Sequence, residues 1–309
     1  MNKSLSHRLK SLLTKKYLSK LLIALFRLLF ITGICFIILY PILTKLSMSF
    51  MGVNDLYDKT VKNIPKNFSP DNYSMAFSHL KYPEIFFNTL TLSLLVSVLQ
   101  AVMCVFVGYG FARYAFKFRG TLFALVIVCM VVPTQVIQMP LYLNFKQFGM
   151  VGNLSPFVLL SVTATAPRCG LYIFLSRQFF KGIPKEIDEA AFIDGAGHFK
   201  LFFVIMLKSA IPIMVTVFLF SFVWQWGENS YTGLFYSSLK TIASTLDSLG
   251  YSLASIPTTG TDVTVANKIA FDSIMRAAAS VLAILPLLVL YVFSQRFFIR
   301  SVERTGIVG

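Results

Sequence analysis

Charged residues are scarce in this chain. Only 13% of its 309 residues are charged, whereas 56% are hydrophobic and the mean hydropathy is +0.72. Soluble globular proteins carry charge at about a quarter of their positions. Several apolar runs also reach the roughly 20 residues that cross the core of a bilayer. The composition therefore excludes a soluble globular protein and predicts an all-α integral membrane protein.

Residues typical of catalysis and cofactor binding are equally few. The sequence contains no Gly-Lys pair, which excludes the phosphate-binding loop of P-loop ATPases. Its histidines are His7, His79 and His198, too far apart in the sequence to suggest one site. The four cysteines lie in apolar runs without metal-like spacing, as buried small hydrophobes do: Cys35, Cys104, Cys129 and Cys169. We predict no catalytic residue, metal ligand or cofactor in this chain.

The net charge of +15 is distributed beside the apolar runs. Residues 1–20 contain six Lys or Arg and no acid, which indicates a cytoplasmic N-terminus. The apolar run at 21–43 is too long for a signal peptide, and Tyr40-Pro41 is not a small-residue cleavage site. Because no basic face stands apart from the spans, nucleic acid is excluded as a partner.

The apolar runs predict six transmembrane helices, at 21–43, 86–110, 121–143, 155–176, 201–226 and 277–298. Cations after the second, fourth and sixth runs place both termini in the cytoplasm. Pro167, Arg168 and Gly170 predict a break in the fourth run.

These spans divide the chain into four regions. Residues 1–20 form a basic cytoplasmic tail, and residues 21–83 form the first transmembrane helix with an outer loop. Residues 84–300 form the main transmembrane domain, and residues 301–309 form a cytoplasmic tail. The main domain contains a cytoplasmic loop at 181–200 and an outer loop at 227–275.

The cytoplasmic loop predicts a helix-turn-helix on the membrane surface. Pro184 suits a first helical turn, and the acids in Glu186–Glu189 suit a helix N-terminus. One narrow face collects three small or apolar residues: Ile187, Ala190 and Ala191. Gly195 can adopt the left-handed conformation that ends a helix. One alternative is an amphipathic connector resting on lipid headgroups, although such helices are usually basic.

The stretch Glu189–Ala196 reads Glu-Ala-Ala-Phe-Ile-Asp-Gly-Ala. With Pro212 downstream, it resembles the coupling loop, or EAA motif, of ABC importer permeases. Asp before Gly is similar to the carbohydrate branch, particularly the maltose-type second permease subunit. The resemblance covers about residues 70–309 and departs from the family at Lys208, where a proline is usual. Further segments agree with it: Asn88–Leu90, Tyr109–Arg113, Pro140–Tyr142, Phe222–Trp226 and Gln295–Phe298.

The resemblance implies a subunit of an ATP-driven, binding-protein-dependent importer of a sugar, an oligosaccharide in our interpretation. Its partners would be a second permease subunit, two copies of a cytoplasmic ATPase that bind ATP and Mg, an extracytoplasmic sugar-binding protein and membrane lipid. The location would be the cytoplasmic membrane of a bacterium or archaeon. It also implies which residues couple to the ATPase: Glu189, Ala190, Ala191, Asp194, Gly195 and Ala196.

Polar groups inside the spans are candidates for a substrate pathway, because they are costly in hydrocarbon. The candidates are Gln135, Gln138, Arg168, Trp224 and Gln225, with Gln100 and Asn144 as further polar positions. For Trp224 and Trp226 we favour an interfacial aromatic belt over sugar stacking. Arg168 has two alternative roles besides contact with a substrate. It could pair with another helix, or its side chain could snorkel to the headgroups. In the resembling maltose system the sugar is held mainly by the other permease subunit.

The outer loop at 227–275 has two interpretations. It is either a solvated connector or a loop that enters the sugar cleft of a binding protein, as the resemblance implies. In the second case the contacts would come from Gly250, Tyr251, Ser255, Thr258 and Gly260.

Two alternative functions stay open. One is the same architecture importing a non-sugar solute such as glycerol phosphate or an amino acid. The other is a stand-alone channel or secondary transporter, for which we find neither a clear internal repeat nor an ion-coupling residue other than Arg168.

The missing phosphate-binding loop gives a first test. The purified chain should show no ATP hydrolysis by itself, because the motor would reside in another chain. Phosphate release measures this, with the same preparation supplemented by a sugar-importer ATPase as the positive control. Reproducible hydrolysis by the chain alone would contradict the interpretation.

Overall fold

The computed structural model describes residues 2–254 and 265–306, with side chains described for 18–249 and 269–295. The backbone in these ranges is almost entirely helical, and its one pairing of extended residues is an isolated bridge between Met51 and Phe68. A 3-10 turn at Val53–Leu56 and a π-helical segment at Leu201–Met206 complete the elements. The α-helices are α1 (Asn2–Met48), α2 (Asp71–His79), α3 (Tyr82–Arg113), α4 (Arg119–Val131), α5 (Thr134–Gln147), α6 (Ser155–Val162), α7 (Cys169–Lys181), α8 (Glu186–Ile193), α9 (His198–Lys200), α10 (Leu207–Ser209), α11 (Ile211–Trp226), α12 (Ser230–Phe235), α13 (Ile242–Ala254) and α14 (Val265–Gly306). The predicted all-α membrane fold is confirmed.

Three stretches of helix in the described part of the chain are long and apolar enough to cross a membrane: Leu18–Met48, Tyr82–Arg113 and Ile269–Gln295. Two bent helix pairs, α4 with α5 and the 198–209 segment with α11, pass the same criterion together. Counting each pair as one span gives up to five. The count of six and the cytoplasmic termini stay predictions.

Some of the prolines coincide with breaks in the spans, whereas Pro41, Pro140 and Pro286 lie inside the unbroken helices α1, α5 and α14. Val132 is extended before Pro133, as a residue preceding proline tends to be, and α4 and α5 meet there at 103°. The fourth predicted span ends as α6 at Val162 and resumes as α7 at Cys169. Arg168 caps α7 in the left-handed conformation, with φ of 69°. The predicted break in this span is confirmed.

The chain also bends by 72° between the 198–209 segment and α11. Pro212 lies in the first turn of α11, where its missing N–H interrupts the helical hydrogen bonds. Lys208 is exposed and does not prevent this bend. The break therefore does not need a proline at position 208.

The described residues within 1–75 and 258–281 form one compact unit. The predicted outer loop within it has an ordered start. The buried carboxylate of Asp55 accepts hydrogen bonds from the backbone N–H groups of Lys66 and Asn67, both at 2.9 Å. Asn72 Nδ2 donates to the carbonyls of Ser49 and Met51. These bonds pair backbone groups that no helix or strand pairs.

The described residues within 76–257 and 282–309 form the second unit, in which α3 packs against both α7 and α11. A Cβ added to Gly108 on α3 would lie 2.5 Å from Ser176 Cβ and 3.1 Å from the Ile173 carbonyl oxygen on α7. Small residues allow such close helix contacts within membranes. The core around this contact contains large buried side chains: Val105, Tyr109, Tyr172, Phe180, Met206, Val217 and Phe235.

The end of α11 is fixed by hydrogen bonds in the core of the second unit. Ser221 Oγ donates to Gln100 Oε1 on α3 at 2.8 Å, and both residues are buried. Trp226 is only 4% exposed, and its Nε1–H donates to the Ala283 carbonyl at 3.1 Å. Trp226 thus belongs to the core, and the aromatic belt that we favoured for it is wrong.

The segment at 227–275, which we predicted as an outer loop, contains helices. It contains α12, α13 and the beginning of α14. The backbone N–H of Ile242, at the start of α13, donates to Thr89 Oγ1 on α3 at 2.9 Å. This hydrogen bond attaches the start of α13 to α3.

The α3–α7 contact gives a second test. Replacing Gly108 by Val should destabilise the protein by about 1–3 kcal/mol, because the added carbons meet α7 backbone and Ser176. Thermal unfolding of the detergent-solubilised protein measures this effect. Gly110→Ala is the matched control on the same helix, since nothing lies within 4 Å of its Cβ. Equal stability of the two variants would contradict the close approach.

Candidate functional site

The segment after α7 folds as a short helix and a sharp turn, with α8 at Glu186–Ile193 and α9 beginning at His198. Three acids occupy the first turn of α8, namely Glu186, Asp188 and Glu189, where the helix dipole favours negative charge. This agrees with the helix-turn-helix that the sequence predicts.

Gly195 makes the turn possible. Its φ of +77° lies in the left-handed region. The Gly195 N–H donates to the Phe192 carbonyl, and the Ala196 N–H donates to the Ala191 carbonyl at 2.9 Å. These two bonds define a Schellman motif, in which the residues at its two ends also pack together. Ala191 and Ala196 are accordingly 5% and 6% exposed.

The buried positions of these two alanines change one expectation. We predicted that Ala190 and Ala191 share a face that a partner can approach. Ala190 is exposed, whereas Ala191 faces the core of its own chain. Ala191 and Ala196 are thus placed to shape the turn rather than to form its outer surface.

Arg113, the last residue of α3, ties this segment to the membrane domain. Its Nη1 lies 3.3 Å from Asp188 Oδ2 on α8, and the two side chains are only 6% and 15% exposed. Its Nη2 donates to the carbonyls of Ile183 and Pro184, at 2.8 and 3.4 Å. Burial raises the pKa of the Asp188 carboxyl, and the Arg113 guanidinium opposes that shift.

An aromatic contact holds the other side of the turn. The ring of His198 packs edge-on against Phe192 and Tyr114, with centroids 5.1 and 5.5 Å apart. Tyr114 in turn packs against Tyr109, which also contacts Phe202 in the π-helical segment. The turn is therefore held between the end of α3 and the segment that leads to α11.

The outer surface of the segment combines apolar and acidic side chains. Ile193 is 86% exposed at its tip, and Ile187 and Phe192 are about 40% exposed. Glu189 and Asp194 are exposed beside them. A rigid turn with an exposed apolar tip and an acidic border is typical of a surface that meets another protein.

The second candidate site is a cavity of about 480 Å³ in the same unit. All five predicted pathway residues line it: Gln135, Gln138, Arg168, Trp224 and Gln225. They come from three places in the sequence, namely α5, the break before α7 and the end of α11. The structure thus brings the predicted residues together, and Gln100 joins them, whereas Asn144 is not among the lining residues.

Inside the cavity the Arg168 guanidinium lies over the Trp224 ring. Trp224 is 54% exposed, unlike the buried Trp226. Glu228 accepts hydrogen bonds from the backbone N–H groups of Tyr231 and Thr232 and so caps α12. Among the described side chains, no group of three or more His, Cys, Asp or Glu could hold a metal ion.

Sequence reasoning missed several members of these sites, among them Arg113, Ser161, Glu228 and Asn229. Arg113 was predicted only as a cytoplasmic cation after the second span and as part of the matching segment Tyr109–Arg113, and its distance from α8 in the sequence gave no sign of a pair. Glu228 and Asn229 also line the cavity and follow the last residues of α11 directly. Their position after an apolar run suggested only an outer loop.

The predicted binding-protein contacts are not placed. Ser255, Thr258 and Gly260 lie outside the described residues. Gly250 and Tyr251 belong to α13, but their side chains lie outside the described part. Their role stays a prediction.

A helical membrane protein with a cavity that contains amide and arginine side chains and with a hydrogen-bonded surface turn has the architecture of a transport permease. The chain belongs to the family described as binding-protein-dependent transport system inner membrane component, which matches residues 104–304. The match includes the surface turn, most of the cavity lining and the end of α3.

Individual permeases resemble the chain over most of their length. It is 27% identical to the arabinooligosaccharides transport system permease protein AraQ of Halalkalibacterium halodurans, over 89% of this chain and 93% of the relative. It is 27% identical to the maltodextrin transport system permease protein MdxG of Bacillus subtilis, over 91% and 95%. It is 29% identical to the melibiose/raffinose/stachyose import permease protein MelC of that organism, over 87% and 91%.

A solved structure has the same fold. A chain of a bacterial ABC transporter involved in the import of the acidic polysaccharide alginate superposes with a TM-score of 0.72. The match covers 91% of this chain and 98% of the other, at 18% identity.

The Arg113 contact gives a third test. Arg113→Met leaves the Asp188 carboxylate partly buried without its cation, so α8 should loosen by roughly 3 kcal/mol. Hydrogen exchange or limited proteolysis of residues 183–196 measures this. Glu186→Gln, an exposed acid on the same helix, is the control. The double variant Arg113→Met with Asp188→Leu should recover part of the loss, and protection unchanged in Arg113→Met would contradict the anchoring.

Proposed function

We propose that the chain is the membrane-spanning permease subunit of an ATP-driven, binding-protein-dependent importer of sugars, with oligosaccharides as the favoured substrates. The observation that carries the proposal is the rigid turn at 186–196, held by Arg113 and presenting Ile193 and Glu189 outward. In a member of this permease family, such a turn is the natural docking surface for a cytoplasmic ATPase.

In the proposed mechanism, a partner ATPase holds the exposed side of α8 and moves it when it closes on ATP. Arg113 passes this displacement to α3, and the segment from His198 to Ser209 passes it to α11. Both helices contribute to the cavity wall, with Gln100 on α3 and Trp224 on α11. Motion of the turn would therefore open and close the cavity as a rigid-body switch.

The partners follow from this mechanism. A second permease completes the pathway, and two copies of the ATPase bind ATP and Mg, each engaging one coupling segment. A sugar-binding protein delivers the solute from outside the cytoplasmic membrane of the bacterium or archaeon. This chain supplies coupling and part of the pathway but no hydrolytic site.

The substrate class is supported by the names of permeases that resemble this chain. The names of three of them refer to arabinooligosaccharides, to maltodextrin and to melibiose, raffinose and stachyose. Sugars with many hydroxyls suit a cavity lined by amides, an arginine and a tryptophan. Amino acids and glycerol phosphate are the alternatives that an uptake assay distinguishes.

A direct experiment is reconstitution of the chain with its second permease, ATPase and binding protein in vesicles. Uptake of maltotriose, raffinose and arabinotriose is compared with uptake of amino acids and glycerol phosphate. ATP-dependent uptake of at least one sugar supports the proposal. Uptake confined to a non-sugar solute would overturn its sugar assignment, and ATP-independent uptake would overturn the importer assignment.

Gly195 provides a fourth test, directed at the turn. Gly195→Val places a β-branched residue at φ of +77° and should abolish coupling or release the ATPase, while the permease still inserts. Co-purification of the ATPase and sugar-dependent ATP hydrolysis measure this. Gly195→Asn should retain most activity, because Asn tolerates the left-handed region.

Gly197→Ala is the matched control for the Gly195 variants. Gly197 lies two residues further on, in extended backbone with φ of −75°, and nothing lies within 4 Å of its Cβ position. Its replacement should leave coupling intact. Normal transport and ATPase binding by Gly195→Val would show that the turn is not the docking surface.

A further inference from the structure

The start of α4 packs against the end of α7. Phe123 on α4 stacks with Phe174 on α7, with ring centroids 6.3 Å apart. Further along, a Cβ added to Gly170 on α7 would lie 3.0 Å from the Val126 carbonyl oxygen on α4. Residue numbers rise on one helix as they fall on the other, so the two helices are antiparallel. The first turn of α4 therefore lies beside the last turn of α7.

This packing gathers three cations, Arg119 from α4 and Arg177 and Lys181 from α7. The Arg177 guanidinium lies over the Phe123 ring, with Cζ 3.8 Å from the ring centroid. Arg119 Nη2 donates to the Ala112 carbonyl at 3.4 Å. Both arginines are half-buried, and Lys181 is exposed. These contacts hold the two guanidinium groups in place on the surface of the unit.

No acid neutralises this cluster within the part of the chain that the structure describes. None of its three cations forms an ion pair there. Repulsion by Arg177, followed by partial desolvation and by repulsion from Arg119, lowers the pKa of the Lys181 ammonium group. The three charges thus repel one another, and an anion bound among them would relieve that repulsion.

Exposed apolar side chains continue from the cluster along α4. No residue of α4 is buried. Leu122, Leu125 and Val128 are 44%, 55% and 54% exposed, and residues three positions apart are neighbours on a helix. Leu122 lies three positions after Arg119, so the apolar strip begins beside the cluster. Phe118, directly before Arg119, is 66% exposed.

The cluster lies at the boundary of two predicted spans. Arg119 precedes the apolar run at 121–143, and Arg177 directly follows the run at 155–176. From this point α7 leads into the surface turn at 186–196. Cations at the end of a span lie at the level of the lipid headgroups, where the phosphates of anionic lipids attract them.

The charge of the surface turn disfavours a single protein partner that covers both features. Glu189 and Asp194 are exposed on the turn, so a protein surface that complements the turn carries positive charge. Arg177 and Lys181 would repel such a surface. A phospholipid fits the cluster better, because its phosphate suits the cations and its acyl chains suit the apolar strip of α4.

We propose that Arg119, Arg177 and Lys181 bind the phosphate of an anionic phospholipid whose acyl chain lies along Leu122 and Leu125. The lipid comes from the leaflet that borders the surface turn. The inference goes beyond the proposed function, since it concerns a lipid ligand and not the transported solute. The bound lipid joins the first turn of α4 to the last turn of α7.

Native mass spectrometry of the full chain tests the site, in mixed micelles with equal amounts of phosphatidylglycerol and phosphatidylcholine as probes. The wild type should retain phosphatidylglycerol in preference. Each cation removed near a membrane surface weakens the attraction of anionic lipid about fivefold. We therefore expect Lys181→Gln to lower the ratio of the two retained lipids about fivefold, and Arg177→Gln with Lys181→Gln to lower it further. An unchanged ratio in both variants would overturn the proposal.

Two control variants separate the site from general effects. Lys185→Gln with Lys200→Gln removes two exposed cations near the surface turn, outside the cluster, and should keep the wild-type ratio. An equal loss in this control would overturn a defined site in favour of general attraction to surface charge. Lys181→Arg retains the charge and should also keep the ratio, whereas a loss equal to that of Lys181→Gln would contradict binding through charge.

A soluble headgroup separates a phospholipid from a free phosphate compound. Glycerophosphoglycerol carries the phosphodiester of phosphatidylglycerol but has no acyl chains to contact α4. It should leave no adduct at a concentration at which phosphatidylglycerol binds. Adducts of equal abundance for the two probes would overturn the phospholipid assignment.

The assembled importer separates a lipid from a protein partner. In the complex with the ATPase and the second permease, the wild-type chain should keep its preference for phosphatidylglycerol. Arg177→Gln with Lys181→Gln should still co-purify with both partners. Loss of a partner from this variant, with the lipid ratio unchanged, would assign the cluster to a protein contact and overturn the lipid site. None of these readouts requires sugar uptake, so failure of the proposed function is distinguishable from failure of the lipid site.

Discussion

The close contact of α3 with α7 at Gly108 is the constraint on which both candidate sites depend. Only a residue without a side chain lets the Ser176 region of α7 lie against α3. A transmembrane helix pair gains little from the hydrophobic effect, so close van der Waals packing has to stabilise it. Because α7 begins at the cavity and leads into α8, this contact fixes the position of both sites relative to α3.

The two sites are physically connected through the same few elements. The start of α3 holds α13 through Thr89, its middle contributes Gln100 to the cavity, and its end holds α8 through Arg113. The Schellman turn at Gly195 and the bend at Ala210 connect α8 to α11, which carries Trp224 and Gln225. The hydrogen-bonded turn and the cavity lie at opposite ends of these elements. This arrangement would suit a protein in which displacement of the turn changes access to the cavity.

Local features of the fold could be predicted because they depend on neighbouring residues. Pro133, Pro167 and Pro212 remove backbone donors, and the helices break beside each of them. Gly195 ends α8 as expected. Burial of Ala191, in contrast, depends on what packs under the turn, and helical spacing around α8 does not reveal which of two adjacent alanines faces inward. Burial of Trp226 could not be predicted for the same reason, because its indole N–H donates to a carbonyl of α14, which is distant in the sequence.

The sequence by itself determined a helical membrane protein, the break in its fourth apolar run and its surface turn, because hydrocarbon forces backbone hydrogen bonds into helices. The motif at Glu189–Ala196 also indicated the family. Only the tertiary structure decided that Arg113 anchors the turn and that Gln135, Arg168 and Gln225 line one cavity. These groups are far apart along the chain, and it is the packing of α3, α7 and α11 that brings them within reach of one another.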